Sequence, residues 1–118
     1  MSDNTKSILV KANEAITRGD HEGFLKFCTE NTRWEFVGEQ VLQGKQAVRE
    51  WMKIAYQEPP IFVVENLIGD SDFVAAVGTI DVKDENGKKV RSSYCDVWRF
   101  EAGKLADLKA FVIPQTET

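Results

Sequence analysis

The chain has a single histidine, two cysteines and three prolines, and its longest apolar run, Phe73-Val-Ala-Ala-Val77, is short. A helix needs about 20 apolar residues to cross a bilayer, so no membrane span is expected. The two cysteines, Cys28 and Cys95, stand at no metal-type spacing, and lone His21, expected to be exposed, adds no cluster. No metal is therefore expected. Basic excess is missing as well. The net charge is −4, and stretches such as Lys83-Asp-Glu-Asn-Gly-Lys-Lys-Val-Arg91 mix both signs, which argues against nucleic acid and anionic membrane as partners. The first twenty residues lack the apolar core and cleavage site of a secretory signal, and two free thiols suit a reducing compartment, so a cytoplasmic location is expected. Phosphate loops, dinucleotide fingerprints and nucleophile elbows are all lacking, so no cofactor is expected. Ser92 and Ser93 have no evident histidine partner, which argues against acyl-enzyme chemistry.

What remains is a chain of 118 residues, read as one domain over 1–118. Asp3 or Asn4 can cap a first helix to about Arg18, with Ile8, Ala12, Ala15 and Ile16 on one stripe. Gly19 suits its C-terminal cap, and Asp20 can cap a second helix carrying Phe24, Leu25, Phe27 and Cys28. Residues 33–37 read as a short strand, followed by a loop to Gly44. A third helix over about Lys45–Tyr56 turns Ala47, Val48, Trp51, Ile54 and Ala55 inward, until Pro59 and Pro60 end it. Four β-rich segments follow, separated by Gly69-Asp70, by the turn at 84–87 and by Glu101-Ala-Gly103. The last of them also fits a helix through Leu105, Leu108, Phe111 and Val112, and residues 115–118 read as a frayed tail. Helices first and strands afterwards indicate an α+β layer.

One carboxylate stands out. On strict alternation Ser92, Tyr94, Asp96, Trp98 and Phe100 share a face of their strand, which sets Asp96 among aromatics. Burial there raises a carboxyl's pKa and can keep it protonated near neutrality. Two readings stay open at this point: a tuned acid–base group, or a carboxylate paired with Arg33, Arg91, Arg99 or a tyrosine. Glu35, Glu65 and Asp81 also lie within apolar strands and are less unusual.

The order of elements, the Arg18-Gly-Asp20 junction, Trp34-Glu-Phe-Val-Gly38 and Tyr94-Cys-Asp-Val-Trp-Arg-Phe-Glu-Ala-Gly-Lys-Leu105 together resemble the nuclear transport factor 2-like superfamily. The likeness is to its SnoaL-like and ketosteroid isomerase-like branch. This resemblance implies a curved antiparallel sheet wrapped around about three N-terminal helices, a cone-shaped barrel with an apolar cavity, in a homodimer packed through sheet faces. It implies that Asp96 occupies the position of a protonated oxyanion-hole donor, a case known from ketosteroid isomerase, and that Glu35 stands where the general base lies. If Glu35 points inward, alternation turns Trp34 and Phe36 outward. Trp34, Trp51, Phe62, Tyr94, Trp98 and Phe111 are candidates for the wall of a pocket that takes a small apolar molecule. The family's helix-one tyrosine is replaced by Ala12, so Tyr56 or Tyr94 would have to supply that donor. Thr79 and Ala110 stand where epoxide hydrolases of the superfamily carry charged catalytic residues. The implied function is a cofactor-independent isomerase, cyclase or dehydratase acting on a hydrophobic carbonyl compound. The alternative is a ligand-binding or dimeric interaction module without turnover.

Overall fold

The computed structural model describes residues 2–83 and 86–115. Helix α1 spans Ser2–Thr17, α2 His21–Leu25 and α3 Lys45–Ala55. The strands are β1 Cys28–Phe36, β2 Gln40–Gln43, β3 Ile61–Asp70, β4 Phe73–Lys83, β5 Lys89–Glu101 and β6 Lys104–Pro114. The α+β class and the three helices match expectation. The turn at 84–87 lies partly, and residues 116–118 of the tail wholly, outside the described residues.

The helical half follows its punctuation. Gly19 adopts φ +77, and the N–H groups of Gly19 and Asp20 bond the carbonyls of Ile16 and Ala15, which closes α1 with the paired bonds of a glycine C-cap. The Asp20 carboxylate then accepts from the Gly23 N–H at 2.9 Å and starts α2. Asp3 and Asn4 prove to lie inside the first turn of α1 rather than before it. Helix α2 ends at Leu25, so Phe27 and Cys28 leave it, and Cys28 opens β1. On α3 the buried residues are Val48 and Met52, whereas Ile54, expected inward, is 75% exposed. His21 is half-buried, its ring 6.4 Å from that of Tyr56.

All six strands form one curved sheet in the order β2-β1-β6-β5-β4-β3. Two features depart from the expected cone-shaped barrel. The sheet does not close, since β2 and β3 remain as free edges. It is also not wholly antiparallel, because β1 runs parallel to β6. The final segment is therefore strand, held on both sides, and its alternation Leu108, Ala110, Val112 supersedes the helical spacing. Strand β1 is longer than expected, and β2 takes the place of a loop. The helices cover the inner face, where Leu9, Ala12, Phe24, Leu25, Val48, Met52, Val74 and Leu105 are almost wholly inaccessible. Each such side chain contributes about 1.5–3 kcal/mol on burial where large. No helix among the described residues is long and apolar enough to cross a membrane.

Candidate functional site

Strand β5 is regular through its middle, so its alternation holds. Ser92, Tyr94, Trp98 and Phe100 are buried on the inner side, and Asp96 lies between them. Across the sheet, Asp96 pairs with Ala76 of β4 and Ala110 of β6. Two small neighbours leave open space above the carboxyl where larger residues would fill it. Tyr94 benefits in the same way. Its β4 partner is Gly78, and a Cβ built there would stand 3.2 Å from the Tyr94 ring.

That space is a cavity of about 90 Å³. Asp96, Tyr94 and Trp98 reach it from β5, Trp34 and Phe36 from β1, and Phe62 from β3. Tyr56, just past α3, and Asn13 of α1 complete its polar wall. Aromatic packing fixes this wall. The Trp34 ring meets those of Trp98 and Phe24 edge-on, with centroids 5.6 and 5.7 Å apart.

The electrostatics turn on Asp96. None of the candidate arginines reaches it: Arg33 pairs with Glu35, Arg91 with Asp81, and Arg99 with Asp107 and Glu101. Its carboxyl has no hydrogen-bond or ion-pair partner among the described residues, and burial pushes it up to about 7. The charged form is poorly solvated there, and no cation among the described residues compensates. Tyr94 is raised to about 12, by burial first and then by the Asp96 charge. Tyr56 is raised by the same two causes. Both phenols therefore remain donors at neutral pH. A further donor is Trp34 Nε1, which is buried without a hydrogen-bond partner among the described residues. Such a group costs about 1–3 kcal/mol until an acceptor arrives.

The sequence matches the SnoaL-like domain over residues 9–108. The chain belongs to the SnoaL-like domain family. Its fold is that of solved nuclear transport factor 2-like proteins, as expected. No curated protein matches the sequence significantly. Among solved structures, SalBIII, an epoxide hydrolase/cyclase-like enzyme of pyran ring formation in the polyether salinomycin, superposes with a TM-score of 0.84 at 23% identity. That alignment covers 93% of this chain and 91% of SalBIII. A Kribbella flavida chain labelled by inference a ketosteroid isomerase gives 0.83 at 15% identity, covering 99% of this chain and 83% of its own. A Jannaschia sp. CCS1 chain, labelled by inference a SnoaL-like polyketide cyclase, gives 0.83 at 13% identity, covering 95% and 87%. At these identities the likeness is one of fold.

In this SnoaL-like chain the expected site residues divide. Asp96, Trp34, Phe62, Tyr94 and Trp98 all line the cavity. Glu35 does not. Trp34 and Phe36 take the inner side of β1, which turns Glu35 to the outer face beside Arg33, 3.6 Å away, and opposite Lys109 of β6. Burying two aromatic rings outweighs burying one carboxylate, and alternation allows only one of the two arrangements. Phe111 is likewise on the outer face and 40% exposed, because Ala110 and Val112 take the inner positions of β6. Trp51 stands behind the wall, its ring 4.9 Å from Phe36 and 5.0 Å from Tyr56. Ala12 is wholly buried and supplies no donor. Asn13 beside it lines the cavity and escaped the sequence reading, since a polar residue on a helix carries no signal of its own. Among the described residues no His, Cys, Asp or Glu cluster could hold a metal.

Proposed function

We propose that this cavity binds a compact apolar carbonyl compound and that Asp96 moves a proton on it, in an isomerase, cyclase or dehydratase type of reaction. The observation that carries this reading is an unpaired carboxyl, raised to about 7, opening into an apolar cavity. Near neutrality both of its forms are populated, which is what a general acid–base group needs. As carboxylate, Asp96 takes a proton from carbon next to the carbonyl. The resulting enolate oxygen accepts hydrogen bonds from Tyr94 or Tyr56, and Asp96 returns the proton at another atom. One group serves both halves of the transfer, so the outward Glu35 is not required. The isomerase and cyclase labels of the Kribbella and Jannaschia chains agree with this reading.

Size narrows the ligand. An engineered cavity of about 150 Å³ holds benzene, so the 90 Å³ of this partly open cavity suits a short chain or small ring as the part held against Asp96. We place the protein in the cytoplasm, in keeping with two free cysteines. We also propose a homodimer through the outer sheet face, where the row Val63, Thr79, Ser93 and Ile113 leaves Val63 and Ile113 more than half exposed beside Phe111.

A second reading, ligand binding without turnover, is favoured by Glu35 on the outer face and by Ala12 in place of a donor. Deuterium exchange separates the two. Cyclopentanone and short 2-ketones in D₂O are followed by NMR for loss of their α-protons. The proposed function predicts protein-accelerated exchange that depends on a group titrating near pH 7 and disappears in Asp96→Asn. Binding without exchange would establish the second reading instead.

A further inference from the structure

A second concavity, of about 270 Å³, runs between α1 and β3. Its walls are Leu9, Val10, Glu14 and Thr17 on the helix and Val64 and Leu67 on the strand. Asn13 and Phe62 line both this groove and the Asp96 cavity, so the two spaces are adjacent across that pair. The groove is mostly apolar, and the Thr17 hydroxyl is already satisfied by the Asn13 carbonyl at 3.1 Å. Its strand wall owes its shape to an irregularity. Val64 pairs with Gly78 and Asn66 with Val77, so Glu65 is an extra residue in β3. The bulge lets Phe62, Val64 and Leu67 all face α1.

We propose that this groove takes the unbranched apolar tail of the ligand whose carbonyl head lies at Asp96. The substrate class then becomes an alkyl ketone or related acyl-chain compound rather than a compact ring alone. The inference rests on the proposed head site and adds its longer part. Three observations support it. The head cavity is small, the groove shares Asn13 and Phe62 with it as lining, and the Asn13 amide can both donate and accept a hydrogen bond between the two parts. Glu14 also lines the groove, and an acidic residue there disfavours an anionic chain end.

A series from 2-butanone to 2-decanone, titrated calorimetrically against the protein, tests this. Affinity is expected to rise about fourfold for each methylene that the groove buries. Val10→Glu and Val64→Glu alter exposed positions, 47% and 38% accessible, so both variants are expected to fold. Each should flatten the chain-length dependence and leave 2-butanone binding unchanged, whereas Asp96→Asn should weaken every member equally. Short ketones that bind through Asp96 with no gain from length would overturn the tail and leave the head reading standing. Length-dependent binding indifferent to Asp96→Asn would overturn the head reading instead. Absence of binding at millimolar ketone refutes both. A change of oligomeric state in Val64→Glu by analytical ultracentrifugation would assign the groove to a second copy and refute the tail.

Discussion

Replacing Asp96 with asparagine keeps the shape of the side chain and removes its proton equilibrium. In the unfolded chain this carboxyl titrates near its ordinary value of 3.8, and in the folded protein near 7. Below about pH 3.8 it is protonated in both states and contributes no pH dependence. Between the two values the unfolded chain releases a proton that the folded protein retains, so folding is progressively disfavoured as pH rises. At about 1.4 kcal/mol per pH unit, the whole interval costs the native protein about 4 kcal/mol, and above pH 7 the penalty is constant. Asparagine carries no such penalty. The stability of Asp96→Asn relative to the parent should therefore climb by about 4 kcal/mol from about pH 4 to about pH 8. Urea denaturation followed by tryptophan fluorescence at each pH measures the difference, in which the remaining titrating groups cancel. A flat difference would show that the carboxyl is not raised. A difference of opposite slope would show that it is ion-paired in the folded protein, and either result would remove the basis of the proposed site.

Gly78→Ala would set a Cβ 1.8 Å from the Val63 carbonyl oxygen, where backbone must shift. Thermal denaturation should show a loss of at least about 2 kcal/mol, and an unchanged midpoint would mean that the β3 bulge is not held against β4. Cys28 is wholly inaccessible and its thiol is raised by burial to about 12. Maleimide labelling with peptide mapping should therefore modify Cys28 only as fast as the protein unfolds, while rapid native labelling at this residue would contradict its burial.

The parts of this structure that were legible in the sequence are those where one signal had no competitor. Gly19 and Asp20 have backbone roles few other residues fill, and the junction of α1 and α2 formed as expected. Asp96 was legible because β5 alternates without interruption from Ser92 to Trp98, the register slipping only beyond Arg99. Glu35 was not, because β1 offers two aromatics and one carboxylate to opposite faces, and spacing alone does not say which face is inner. Phe111 failed for a related reason: alanine at 110 claims the inner position by being small, which a hydrophobicity pattern reads as weakness. Strand β2 is a short edge with glutamine at both ends, and the first half of β1 is polar, so neither carried a strand pattern. The Asn13 wall and the groove beyond it depend on how α1 lies across β3, a long-range contact that no local spacing encodes.

The parallel pairing of β1 with β6 also governs when the protein can be completed. β1 is made early in synthesis, yet apart from the adjoining β2 its sheet neighbour is the last strand of the fold. Until β6 emerges, the inner edge of the β1–β2 hairpin has no backbone partner, and Trp34 and Phe36 lack the strand beside which they pack. The meander β3–β4–β5 can pair locally in the meantime. Closure thus waits for a single late event that spans most of the chain, the kind of non-local step that slows folding. A ribosome-stalled chain ending before Lys104 would hold a formed meander and an open hairpin, with the Asp96 cavity lacking one wall.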